Sequence, residues 1–135
     1  MLDSDKKIER QAFQVNTNKK SPLNIINTKL KICSLDPITG WTRNGTCFSD
    51  SSDRGNHSVC AQVTTEFLEY TKARGNDLST PNPRYGFKGL KDGDRWCLCA
   101  ARVKEAKEAG INLKIDKEAT HPRALEVFPN FTGVF

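Results

Sequence analysis

From Ser34 to Asn56 the chain is punctuated by Asp36-Pro37, Thr39-Gly40, Asn44-Gly45 and Arg54-Gly55 and carries no sustained apolar period. Residue pairs of this kind set tight turns, so the stretch folds as structured loop and regular elements must come from elsewhere. Asn44-Gly45 favours a type I′ hairpin, with Trp41 and Phe48 packing across it. A second such stretch, Asn76 to Gly93, holds Pro81, Pro83, Gly86, Gly89 and Gly93 and reads as a long ordered loop.

Between these loops the periodicity is legible. Val59, Ala61 and Val63 alternate with Ser58, Cys60 and Gln62, which predicts a strand over His57 to Val63. Thr64 then caps a helix with Glu66 in its positive first turn, Lys72 and Arg74 near its negative end and Gly75 as its stop. A single helix from Ser58 is the competing reading, because Cys60, Val63, Phe67 and Tyr70 recur at helical spacing; strand then helix is preferred. Arg95 to Cys99 reads as a second strand, Ala100 to Ala109 as a helix stopped by Gly110, and Leu113 with Ile115 as a third strand. Thr120 is expected to cap a short helix with Pro122 in its first turn, and Leu23, Ile25, Leu30 and Ile32 promise a short strand or two before Cys33. The expected class is α+β: one small domain with a mixed sheet of short strands, two or three helices and long ordered loops.

Residues 1–20 are polar, rich in Lys, Asn and Gln and without periodicity, so a disordered basic tail is expected there and a single globular domain over 21–135. Up to Lys31 the chain has 7 basic and 3 acidic residues, against 14 and 13 beyond it. The net charge of +5 therefore sits mostly in the leading segment, the domain is nearly neutral, and nucleic acid is not the expected partner. The longest apolar run, Trp96 to Ala101, cannot span a bilayer, so no membrane partner is expected either. The opening MLDSDKKIERQAF lacks the apolar stretch of a secretory leader, so a soluble, cytoplasmic protein is expected, its oligomeric state open.

Five cysteines in that setting read as reduced thiols, without a structural disulfide. His57-x-x-Cys60 together with Cys97-x-Cys99 offers four ligands of the kinds zinc takes, and along a strand Cys97 and Cys99 project to one face. A metal site of His57, Cys60, Cys97 and Cys99 is one reading. Small buried side chains are the plainer one, since free cysteine is among the most buried residues. A nucleophile is the third, with Cys99 just before a helix start and Cys60 near His57. Asn76, Asp77, Ser79 and Thr80, with Arg95, could hold a polar ligand, although such loop residues commonly satisfy their own backbone. Asp50, Asp53 and Gly55 lack the alternation of a calcium loop, and His121 reads as a cap.

DPITGW from Asp36, GNHSVCA from Gly55, GNDLSTP from Gly75, GLKDGDRWCLCA from Gly89 and ATHPRALE from Ala119 resemble the family catalogued as domain of unknown function 2237. The resemblance covers about Pro22 to Phe128 and includes Cys33, Cys47, His57, Cys60, Cys97, Cys99 and His121. It implies a small bacterial protein and brings no activity, substrate or cofactor with it. The expected function is a Cys/His-lined pocket for a metal ion, zinc foremost, or a small polar ligand; a cysteine-dependent enzyme and a protein-interaction module are the alternatives. If the tail lies outside the core, deleting Met1 to Lys20 leaves the thermal melt unchanged, and a fall of more than roughly 5 °C would show that it docks.

Overall fold

Strand β1 (Val59–Gln62) is the centre of the structure, a computed structural model that describes residues 22–135. The expected tail, 1–20, lies outside the described residues. Strand β2 (Arg95–Leu98) pairs with one edge of β1 in the register Val59 to Leu98, Cys60 to Cys97, Ala61 to Trp96 and Gln62 to Arg95. Strand β3 (Lys114–Ile115) pairs with the other edge through Ala61 and Gln62, giving the order β2-β1-β3. Both pairings are antiparallel, so the α+β class stands while the mixed sheet gives way to a wholly antiparallel one. The cause is local: Gly93 N–H donates to the Val63 carbonyl and Val63 N–H to the Asp94 carbonyl. The long loop thus returns the chain to the end of β1 it left, and β2 runs back alongside.

Helix α1 (Thr65–Ala73) starts as its sequence dictates, with Thr64 accepting from the Phe67 N–H, and buries Phe67, Leu68 and Thr71. Helix α2 (Ala100–Glu108) buries Ala100, Val103 and Ala106, and a last turn, α3 (Phe131–Val134), inserts Phe131. The apolar ones among these side chains join Val59, Ala61, Val63 and Leu98 in the main apolar core. The two-residue period divides β1 between two environments: Val59 and Ala61 face that core, while Cys60 faces a second cluster with Cys33, Cys47, Cys97 and Ala119.

Three local expectations are corrected. No hairpin forms at Asn44-Gly45, because the Asn44 side-chain oxygen accepts from Thr42 Oγ1, Thr46 N–H and Thr46 Oγ1, closing a side-chain turn instead. Among the described residues before Cys33, an isolated bridge, Leu23 to Lys29, forms in place of a strand. His121, and not Thr120, caps the short 3-10 helix Pro122–Glu126; the Thr120 hydroxyl is already engaged, accepting from Cys60 N–H and donating to the Asp116 carbonyl.

Residues 22–58 lack a strand or helix, so buried side chains must hold them. Asn24 is fully buried, donating to Thr28 Oγ1, Lys29 O and Glu118 O while accepting from the Ile26 and Thr28 N–H groups. Asn24→Ala should leave several of these groups unpaired and cost about 3 kcal/mol. The cap variant Thr64→Ala should cost about 1 kcal/mol, and urea denaturation of the two compares them directly.

Candidate functional site: a sulfur cluster beside an Asp-His pair

The four cysteines of the second cluster are paired as disulfides, Cys33 with Cys60 and Cys47 with Cys97. This corrects the expectation of five free thiols: Cys99 alone is unpaired. The pairing follows from the fold. Cys60 and Cys97 are direct neighbours across β1 and β2, so their side chains share a face, and the turn-rich loops lay Cys33 and Cys47 over it. Gly40 and Gly45, both at positive φ, make this possible; a Cβ on Gly40 would collide with the Thr46 carbonyl. The two bonds are also adjacent, the Sγ atoms of Cys33, Cys47 and Cys97 all lying within 4.8 Å of one another.

Arg95 lies on the outer side of the cluster. Its Nη2 is 3.4 Å from Cys60 Sγ and 2.6 Å from Asp116 Oδ2, and its Nε donates to the Cys33 carbonyl at 2.7 Å.

Asp53 and His57 form the second part of the site. Asp53 is completely buried; its Oδ2 accepts from Ser49 Oγ and the His57 N–H, both at 2.8 Å, and its Oδ1 meets His57 Nδ1 at 2.7 Å. Burial opposes ionisation of Asp53, but the bonds from the His57 ring and backbone and from Ser49 outweigh it and hold the carboxyl below the ordinary carboxylate value. In the neutral tautomer that donates Nδ1–H to Asp53, His57 presents Nε2 as an acceptor. The ring lies against Gly55, where a Cβ would collide with it. Arg123 locks the loop from behind, donating to Asp53 O at 2.7 Å and Ser49 Oγ at 2.9 Å.

These two parts meet at a cavity of about 250 Å³ walled by Gly40, Trp41, Arg43, His57, Trp96 and Cys97. A groove of about 340 Å³ adjoins it, sharing Arg43 and Trp96 and continuing over Leu35, Ile38, Tyr85 and Phe87. The Arg43 guanidinium stands 5.7 Å from the centre of the Trp96 ring, so a cation and two indoles border the opening. Of the paired cysteines, Cys97 lines this cavity.

Of the four residues expected to bind metal, the structure brings three close. Cys60 and Cys97 share the cluster, and His57 shares the cavity with Cys97, but both sulfurs are committed to disulfides. Cys99 goes elsewhere: β2 ends at Leu98, and Cys99 becomes the half-exposed residue at the start of α2, outside the cluster. Among the expected polar-ligand residues, Asp77 accepts from Ser79 N–H, Thr80 N–H and Thr80 Oγ1, while Asn76 donates to Thr71. These groups satisfy one another, and none shares a hydrogen bond with Arg95. Sequence reasoning placed neither Cys33 nor Cys47 in the site, nor Asp53, Arg43, Trp41 and Trp96. The Asp53-x-x-x-His57 spacing was the available signal for one of them.

With this geometry in place, family membership adds context. The model of the family described as "Uncharacterized protein conserved in bacteria (DUF2237)" matches residues 23–131, and the chain belongs to that family. A search of the curated proteins finds no match. Among the described residues no helix is long and apolar enough to cross a membrane.

Acid sensitivity follows from two groups. Burial first, and then the Arg123 charge, lower the pKa of His121, whose Nδ1 accepts from the Arg123 N–H as the cap. A histidine held neutral in the fold is protonated first in the unfolded chain, so its stability contribution begins to fall below pH about 6.5. Asp53, also lowered, keeps its contribution down to about pH 3.9 and loses it as pH falls further towards its folded value. Melting temperature should therefore decline in two stages on acidification, with Asp53→Asn reducing the lower stage, which it shares with the likewise lowered Asp50 and Asp77, and His121→Asn removing the upper.

Proposed function

We propose that the protein is a thiol–disulfide exchange domain in which a low-molecular-weight thiol, bound in the Cys/His-lined cavity, attacks the Cys47–Cys97 bond. The observation that carries this reading is the sharing of one cavity by the Asp53-anchored His57 and by Cys97. The incoming thiol gives its proton to His57 Nε2, and its sulfur bonds to Cys97 Sγ. The Cys47–Cys97 bond breaks, and its electron pair leaves with Cys47. A second thiol resolves the mixed disulfide, so two thiols become one disulfide while Cys47 and Cys97 become thiols. Arg43 offers a positive charge to a carboxylate on the thiol compound, and Trp41 and Trp96 offer apolar faces.

The reading joins the expected Cys/His-lined pocket to the cysteine-dependent alternative. We place the protein in the cytoplasm, where resident reductants make a disulfide that borders a cavity a transient, working bond instead of scaffolding. The partner is then a small thiol such as glutathione.

Glutathione and a phosphine reductant separate the chemistry from the structure. A phosphine attacks sulfur without first losing a proton. His57→Gln should slow opening of Cys47–Cys97 by glutathione about tenfold while leaving phosphine reduction unchanged, as read by quenched alkylation and mass spectrometry. Equal slowing by both reductants, or by neither, would sink the proposal.

A further inference from the structure

The exchange chemistry above leaves the Cys33–Cys60 bond unused, yet that bond lies against the cavity disulfide. Cys33 Sγ belongs to one disulfide and lies within 4.8 Å of both sulfurs of the other. Cys60 stands outside that trio, and the Arg95 guanidinium is 3.4 Å from its sulfur. Arg95 is fixed there by the Cys33 carbonyl and by Asp116. In exchange, the sulfur with the more stable thiolate leaves faster, and an adjacent cation stabilises a thiolate. The near sulfur of the Cys33–Cys60 bond is therefore placed for attack and the far one for departure.

We infer that the four cysteines form an internal relay that carries electrons from the cavity disulfide to the Cys33–Cys60 bond. After an external thiol has opened Cys47–Cys97, the Cys47 thiolate bonds to Cys33 Sγ, the Cys33–Cys60 bond breaks, and the electron pair leaves with Cys60 beside Arg95. The Cys97 thiolate then attacks Cys47 Sγ, which re-forms Cys47–Cys97 and releases Cys33 as a thiolate. Each step exchanges one S–S bond for another and needs no oxidant. The outcome is a reduced Cys33/Cys60 pair and a cavity disulfide ready for a second external reduction, so one entry point serves two disulfides and, over two external reductions, four electrons per chain. The relay rests on the reading that Cys47–Cys97 is opened from the cavity. Its exchange steps can still be followed with dithiothreitol, whose entry does not depend on His57.

The test is partial reduction of the full-length protein with limiting dithiothreitol, acid quenching, alkylation and non-reducing peptide mapping. The relay requires chains with one disulfide in which Cys33 is joined to Cys47 or Cys97 and Cys60 is alkylated, alongside chains that keep Cys47–Cys97 with Cys33 and Cys60 both alkylated. One-disulfide chains that keep only Cys33–Cys60 would overturn it. Cys97→Ser, which removes the resolving thiol, should trap the exchange as a Cys33–Cys47 bond with Cys60 free, whereas Cys47→Ser, which removes the attacking thiol, should keep Cys33–Cys60 intact. Retention of Cys33–Cys60 in Cys97→Ser, or equal rearrangement in both variants, rejects the assigned direction. Cys99 stays unpaired throughout. Its entry into disulfides in a variant marks shuffling of unfolded chain, and the unsubstituted protein then decides alone. Arg95→Gln should lower the Cys60-alkylated fraction severalfold and Arg95→Lys should restore part of it; an unchanged fraction in Arg95→Gln removes Arg95 from the relay. If glutathione fails to depend on His57 while these species form under dithiothreitol, the cavity reading falls and the relay survives.

Discussion

The two disulfides do for the first third of the domain what strands and helices do for the rest. Residues 22–58 contribute bridges and turns but no regular element, and they cross the sheet face that the apolar core leaves open. Cys33–Cys60 closes 27 residues of sequence separation and Cys47–Cys97 closes 50, each anchoring a turn-rich segment to a central strand. Loop-closure entropy alone values cross-links of that span at about 3.5 to 4 kcal/mol each. Asn24 and the Thr39 hydroxyl, which accepts from the Cys97 N–H, add hydrogen bonds in the same sense, but the sulfur cluster is where the loops and the sheet become one body.

That placement separates chemistry from stability in a very small sheet. Val59, Ala61 and Leu98 look into the core with Phe67, Val103 and Phe131. On the other face Cys60 and Cys97 meet the loop cysteines, and Arg95, two residues before Cys97 on the same strand, lies over Cys60. A strand with both faces buried usually carries apolar residues on both. Here the second face carries sulfur, which packs as a small apolar atom while keeping the capacity to exchange partners.

What was legible in the sequence follows the reach of local rules. The strand, Thr64 cap, helix and glycine stop around residues 57–75 are set by contacts within a turn or two, and the structure has them where the residues put them. The helix after Cys99 and the short strand at Ile115 came through for the same reason. The pairing of cysteines was not legible, because Cys33 and Cys47 reach β1 and β2 through irregular loops whose path depends on buried bonds far apart in sequence, such as Asn24 to Glu118. Cys99 was misplaced by extending the strand period one residue too far; at Leu98 the chain already turns into α2. Asn44-Gly45 was misplaced because a side-chain oxygen competed successfully for the turn's donors.

The Asp53 loop shows why the site reads as more than buried sulfur. A carboxylate taken wholly out of water is costly, and proteins retain one only where its oxygens are fully engaged. Asp53 receives the Ser49 hydroxyl, the His57 N–H and the His57 ring, and Arg123 secures the surrounding backbone. Helix capping or loop closure could be had at less cost from a serine or an asparagine. What the charged group adds is a fixed direction and tautomer for one half-exposed imidazole, and Gly55 is kept bare to let that ring lie down beside it. The ring so fixed borders the cavity that Cys97 also lines. An acceptor nitrogen held in one direction can take a proton from an arriving group, and the proposed exchange assigns that part to a thiol approaching the Cys47–Cys97 bond.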